Sequence, residues 1–324
     1  MIISKTPFRI SFCGGGTDLK EYYSKRQGSV VSTAINKYMY VNVKDFFDRD
    51  KVFLKYSRTE LVGNVDRIKH PIIREALKMT GVVRGVEISS MADIPSASGL
   101  GSSSAFAVGL LNALHAYLDR HKSPEELARE ACKIEIELLK EPIGKQDQYI
   151  SAYGGLRHIM FNHDDSVSPE IIVLPRQVKE ELENNLLLFY TGITRKAKDI
   201  LSEQKKNTKK KMEFLDRMME LSFELKDSLV KRDITRFGEL LHKNWEYKKK
   251  LASKISSPLI DKYYRMALES GALGGKVLGA GGGGFMLFYC EQNRQNSVIR
   301  NLKALRHVPF RFENHGTRIV YRDD

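Results

Sequence analysis

Segment 105–118 is almost wholly apolar, with Phe106, Val108, Leu110, Leu111, Leu114 and Leu118 in close succession. It is too long for a strand, so it is predicted to be a buried core helix. Upstream, 86–94 reads as a strand, and the stretch between them, 95–105, joins a strand end to a helix start. The chain begins with a strand over 2–12, a glycine turn, a short helix near 18–26 and strands over 29–35 and 38–46. A helix is expected over 71–79, a second over 124–139 with Ser123 as its N-cap, and further strands and turns over 154–175. From residue 186 the texture changes. A buried-type strand, 186–190, leads into long charged helices from about 196 to 255, on which Phe214, Leu215, Met218, Leu221, Leu225 and Leu229 form a core-facing stripe at helical spacing. A helix over 258–270, a glycine-rich stretch over 274–284, a strand over 285–290, a helix over 292–305 and strands over 310–313 and 317–321 complete the chain. The pattern predicts two α+β domains, 1–185 and 186–324.

Composition narrows the function classes. A chain of 324 residues, 42% hydrophobic and 29% charged, is ordinary for a folded globular protein. The longest nearly apolar run is shorter than a membrane span, and the N-terminus enters a strand without signal-peptide organisation. A cytoplasmic protein with no membrane partner is expected. Cys13, Cys132 and Cys290 are odd in number, far apart and without a Cys-x-x-Cys pair, so they are expected to be buried thiols and not a disulfide framework or zinc site. The net charge of +13 attracts anions such as ATP, a phosphorylated metabolite or nucleic acid. Lys205, Lys206, Lys209, Lys210 and Lys211 carry part of that excess, with no interleaved aromatic residues for base stacking. They read as a solvated face, and a phosphorylated small molecule, with no nucleic acid, is the simpler partner.

Four segments carry candidate chemistry. In Pro95-Ser-Ala-Ser98-Gly99-Leu100-Gly101-Ser102-Ser103-Ser104-Ala105, small residues let the backbone approach a ligand, and first-turn N–H groups with the helix dipole favour a phosphate chain. The serine hydroxyls suit phosphate oxygens or a magnesium ion; alternatively they cap the helix. Neither a Walker A lysine nor the third glycine of a dinucleotide loop is present. In Pro7-Phe-Arg9-Ile-Ser11-Phe-Cys-Gly14-Gly15-Gly16-Thr17-Asp18, Thr17 and Asp18 are suited to a polyol, or Asp18 stabilises a helix start. Asp147, framed by Gly144, Lys145, Gln146 and Gln148, has the setting of a buried, ionised base, or of a capping residue; Glu135 and Glu137 precede it on an amphipathic helix. The run Gly279-Ala-Gly281-Gly282-Gly-Gly284-Phe precedes a strand, not a helix, so it is read as a glycine loop packed on another backbone or on a ligand.

Together the first, second and fourth of these segments resemble the three ordered motifs of the GHMP kinases, the superfamily of galactokinase, homoserine kinase, mevalonate kinase and phosphomevalonate kinase, over almost the whole chain. Arg9 through Asp18, Gly144 through Tyr149 and Gly192-Ile-Thr-Arg195 look most like the D-glycero-D-manno-heptose 7-phosphate kinases. The resemblance implies a left-handed β-α-β N-terminal domain, a ferredoxin-like C-terminal domain and an active site in the cleft between them. It further implies ATP-dependent phosphorylation of an anomeric hydroxyl, that of heptose 7-phosphate or, alternatively, of an unphosphorylated sugar such as fucose. Carried over by motif, Pro95 and Ser98 to Ser104 would belong to the ATP site, and Ser103 with Glu135, or Glu137 in its place, would hold magnesium. Asp147 would take the proton from the sugar, and Arg9 would favour its charged form and stabilise developing charge. Gly15, Gly16, Thr17, Asp18, Gly281 and Gly282 would shape or contact the substrate. A second phosphate on the substrate would need its own cation, for which Lys37, Arg74, Lys145 and Arg195 are all candidates. Galactokinases carry Glu-His where this chain has Gly15-Gly16, which argues against galactose.

Overall fold

The computed structural model describes residues 1–193 and 197–323. Arg195 therefore lies outside the described residues. Two sheets are built from β1 (Ile2–Cys13), β2 (Gly28–Asp45), β3 (Val52–Lys55), β4 (Thr59–Val62), β5 (Val86–Ala92), β6 (Leu156–Phe161), β7 (Val167–Ile171), β8 (Leu186–Tyr190), β9 (Gly274–Val277), β10 (Phe285–Tyr289), β11 (Arg306–His307) and β12 (Arg318–Arg322). The first sheet runs β12-β1-β2-β5-β3-β4, with β6 and β7 attached to the other half of the same β2 edge. Among the described residues, only β3 and β5 pair in parallel. The two strands expected over 29–35 and 38–46 are one long β2: Phe8 pairs with Ile35 and Pro7 with Tyr38, so Asn36 and Lys37 bulge out of the ladder. Asn36 is satisfied elsewhere, donating from its N to Arg311 O at 2.9 Å and accepting from Arg311 N at 2.8 Å.

The second sheet runs β11-β8-β10-β9, entirely antiparallel. Helices separate β8 from β9 and β10 from β11, which is the βαββαβ arrangement of a ferredoxin-like unit. The chain does not end there. β12 pairs with β1, so the last strand of the 186–324 segment joins the first sheet.

The Ser102–Tyr117 helix is buried on nearly every side and lies against β1 and β2, as its apolar sequence requires. Of the predicted stripe, Leu215, Met218, Leu221, Leu225 and Leu229 are buried, while Phe214 is half-buried beside Tyr247. All three cysteines are buried and free. Ser123 and Glu126 form a capping box at Pro124–Cys132, but the helix expected to reach 139 widens into a π-helical turn over Lys133–Leu138. Within that turn Glu135 is buried and Glu137 exposed. Among the described residues no helix is long and apolar enough to cross a membrane.

The sheets meet backbone to backbone. Phe285 N donates to Ser98 O at 3.2 Å. Gly284, at φ +78°, has space for no side chain: a Cβ there would stand 2.1 Å from Ser98 O. Gly279, at φ +63°, sits against Gly99 in the same way, 2.7 Å from its Cα. Gly284→Ala is therefore expected to destabilise the protein by about 1–3 kcal/mol from backbone strain alone, with the clash adding to it. Urea unfolding of the variant checks this, and a midpoint equal to that of the wild type would contradict the packing described.

Candidate active site

The loop between β5 and the Ser102–Tyr117 helix turns through two glycines in left-handed conformations, Gly99 at φ +87° and Gly101 at φ +76°. Gly101 is the N-cap, and no side chain caps the helix. The serines therefore do not serve as the cap, and the first-turn N–H groups are left for a ligand. Ser102 and Ser103 line a cleft of ≈590 Å³ together with Tyr56, His70, Met91 and Phe106. Ser103 Oγ donates to Glu135 Oε1 at 2.6 Å, and Gln148 Nε2 donates to Glu135 Oε2 at 2.6 Å. Burial pushes the Glu135 carboxyl above its ordinary range, against the hydrogen bonds from Ser103, Ser104 and Gln148. Other members of the predicted loop stand back from the cleft. Pro95 is exposed, Leu100 is in the core, and Ser98 lies beneath Gly284.

Arg9 joins this loop to the candidate base. Its main-chain N donates to Leu100 O at 3.1 Å and its Nη1 to Gly99 O at 2.7 Å. Nε and Nη2 grip Asp147 Oδ1 and Oδ2 at 2.7 and 2.5 Å, a bidentate pair with both side chains largely withdrawn from solvent. Asp147 stands in the first turn of the Gln146–Tyr153 helix. A narrow cavity opens beside it, lined also by Ser11, Gly15, Gly16, Asp18, Gln146, Gln204, Lys248, Lys276, Gly279 and Ala280. Asp18 is buried, its Oδ1 accepting from Gly16 N at 2.9 Å and its Oδ2 from Gln146 Nε2 at 3.0 Å. Burial, helped by the neighbouring Asp147 charge, pushes its carboxyl upward despite those bonds.

Several expected contacts are not brought together. Thr17 is buried away from the cavity, its hydroxyl held by Gly14 O, Ser29 O and Ser29 N, because it pins the glycine turn to β2. Lys145 turns outward onto Asp165, at 2.9 Å, where Lys20 and Tyr23 also converge. Arg74 bonds Glu75 and Ile68 O, and Lys37 lies in the β2 bulge, facing a different surface hollow. Gly281 and Gly282 press on the main chain of Ile255 instead of lining the cavity, leaving Gly279 and Ala280 to do so.

Sequence reasoning assigned no role to the polar cavity residues Ser11, Gln146, Gln204, Lys248 and Lys276. Lys276 is the clearest. Its Nζ donates to Ser11 O and Phe12 O at 2.7 and 2.8 Å, and burial lowers its pKa to about 8. A lone lysine within the fully buried strand Gly274–Val277 was the available signal, since lysine is almost never fully buried without cause. Lys248, in the last turn of its helix, donates to Gly279 O.

Comparison with known proteins identifies the family and the fold. Residues 67–155 match the family described as GHMP kinases N terminal domain, and residues 225–307 match GHMP kinases C terminal. The chain is 31% identical to the D-glycero-alpha-D-manno-heptose 7-phosphate kinase of Campylobacter jejuni, covering 93% of each protein. It is 27% identical to the L-fucokinase/L-fucose-1-P guanylyltransferase of Bacteroides fragilis, over 93% of this chain and 36% of that protein. Its fold superimposes with a TM-score of 0.84 on the crystal structure of a D-glycero-D-manno-heptose 1-phosphate kinase from Bacteroides thetaiotaomicron, at 24% identity and full coverage of both chains. With both family domains matched in order around one uncapped helix start, the chain belongs to the GHMP kinase family.

Proposed function

We propose that the protein transfers the γ-phosphoryl group of ATP to the anomeric hydroxyl of a sugar phosphate, D-glycero-D-manno-heptose 7-phosphate, forming the 1,7-bisphosphate. The observation that carries this reading is the Arg9–Asp147 pair, held by the same guanidinium that binds the phosphate-loop carbonyl of Gly99. A base fixed to the loop that holds the nucleotide needs no reorganisation to face both reactants, and phosphoryl transfer asks chiefly for such positioning and charge stabilisation. The nucleotide phosphates lie against the N–H groups at the start of the Ser102–Tyr117 helix, with the base of ATP in the largely apolar cleft of Tyr56, His70 and Phe106. The sugar enters the cavity between Asp18 and Lys276. Asp147 accepts the proton of the anomeric hydroxyl, which is more acidic than an ordinary alcohol and so suits a carboxylate. Arg9 then keeps the protonated side chain aligned and offsets charge building between sugar and phosphate.

Ser103 Oγ and Glu135 Oε1, 2.6 Å apart at the cleft wall, are two hard oxygens, with the carboxylate fixed from behind by Gln148. That donor set suits magnesium, which takes one or two protein oxygens and completes its shell with phosphate oxygens and water. Magnesium would neutralise nucleotide charge there. Glu137, exposed on the same turn, is the poorer candidate. A kinase for an unphosphorylated sugar is the second reading, supported by the similarity to the B. fragilis fucokinase. The two readings part on a single comparison of heptose 7-phosphate with free heptose and fucose as acceptors: a phosphorylated sugar no better than the free ones would remove the first.

Asp147→Asn retains shape but removes the proton acceptor, so turnover should fall by roughly 10²–10⁴-fold while ATP binding is little altered. Single-turnover kinetics beside a nucleotide titration checks both, and near wild-type chemistry would reduce Asp147 to a positioning role. Ser103→Ala should raise the magnesium concentration needed for half-maximal turnover. An unchanged magnesium dependence would remove Ser103 from the proposed donor set.

A further inference from the structure

Three polar groups in the cavity beside Asp147 have no full account within the fold: Gln146 Oε1, an unpartnered acceptor, and the two donors Ser11 and Lys276. Ser11 is 6% exposed, and its Oγ has no hydrogen-bond partner. Lys276 is 1% exposed and donates to two main-chain carbonyls, Ser11 O and Phe12 O. An ammonium has three donors, so one remains, and among the described residues no carboxylate forms an ion pair with it. Burying a cation with no counter-charge and a hydroxyl with no partner both disfavour folding. A ligand that accepts from both removes both defects.

Position decides which part of a ligand that is. Ser11 follows Arg9 by two residues on β1, and this stretch is in regular register with β2, Arg9 opposite Ala34 and Ser11 opposite Ser32. Their side chains therefore share a face, about 6–7 Å apart along the strand. A group held at Ser11 is therefore offset along β1 from Arg9, whose guanidinium carries Asp147. Lys276 Nζ donates to the main-chain carbonyl of Ser11 itself and lines the same cavity, so its charge belongs to the Ser11 part of the site. The nucleotide phosphates have their own place at Ser102 and Ser103, in the separate cleft. A hydroxyl donor beside an uncompensated cation suits an anion better than a sugar hydroxyl, whereas Asp18 and Gln146 supply acceptors to hydroxyl groups nearer the base.

We propose that Ser11 Oγ and Lys276 Nζ form the subsite for the phosphate that the acceptor sugar carries; this rests on the sugar-phosphate reading above. Neither Lys145 nor Arg74 has this position, and the phosphate preference of the enzyme comes from β1 and β9. The test is the ratio of kcat/KM for heptose 7-phosphate to that for free heptose, measured at fixed ATP, magnesium and ionic strength for the wild type, Ser11→Ala and Lys276→Met. The ratio is expected to fall about tenfold or more in each variant, the loss of a hydrogen bond to a charged group. Ser11→Ala removes a hydroxyl that the fold does not bond, so its thermal midpoint should match or exceed that of the wild type, and it decides the matter even if Lys276→Met does not fold. A wild-type preference retained in full by Ser11→Ala overturns the subsite and leaves the sugar-phosphate reading standing. A loss shared equally by both sugars makes Ser11 a hydroxyl ligand and likewise overturns it. A wild type without any preference removes the reading and the subsite together.

Discussion

One guanidinium holds the centre of this protein together. Arg9 reaches the glycine–serine loop through Gly99 O, its own backbone reaches Leu100 O, and its Nε and Nη2 clamp Asp147. The planar fork of arginine can serve a carbonyl and both oxygens of a carboxylate at once, which a lysine ammonium cannot do with fixed geometry. As a source of stability such a withdrawn ion pair is weak, because the desolvation of both charges offsets most of their attraction. Its consequence is positional. Loop, strand and candidate base become one rigid unit, and the reactants need only be delivered to it.

Delivery depends on close backbone approach, and glycines supply it at two places. Gly279 and Gly284 let the loop before β10 lie directly on Gly99 and Ser98, so the second sheet presses on the back of the phosphate loop. Gly16, beside Asp147's cavity, instead admits a side chain: at φ +109°, a Cβ there would stand 2.4 Å from Gln204 Nε2 on the helix Ala197–Asn207. Gly15 is different, since its Cβ would stand 3.6 Å from both Ser11 Oγ and Gln146 Nε2, an ordinary contact. Its lack of a side chain leaves open the space between those two polar groups. The cavity is thus kept clear by absence of side chains and furnished by groups from β1, β9 and the Gln146–Tyr153 helix.

Charge that looks functional in the sequence is largely spent on the surface. Lys145 and Lys20 share Asp165, and Lys205 of the lysine cluster pairs with Glu21 at 3.2 Å. Exposed pairs of this kind contribute little to stability, and they turn their cations away from the cleft. Of the cations that line the cavity, Arg9, Lys248 and Lys276, the last comes from a glycine-rich strand with no basic neighbours in sequence.

The sequence by itself determined the order of most elements, the core helix and the glycine-rich loop before it, because these rest on local physics: apolar periodicity, glycine tolerance of left-handed backbone and the unpaired N–H groups of a helix start. The family was legible through the resemblance of three ordered motifs. Arg9, Asp147 and Ser103 were singled out through the family resemblance, and the structure places them on the walls of the two cavities described. Tertiary structure alone decided what depends on partners distant in the chain. The bulge at Asn36 and Lys37 makes one strand of two because Arg311 satisfies the displaced backbone. The last strand returns to the first sheet because β1 has a free edge to pair. Glu135 is chosen over Glu137 by a π-helical turn that turns one inward and leaves the other in solvent. Thr17 is withdrawn from the site by Ser29, and Lys276 is brought into it by carbonyls more than 260 residues away. A hydrogen-bonding side chain is uncommitted in sequence; the fold commits it by deciding which donor or acceptor is nearest once water has been excluded.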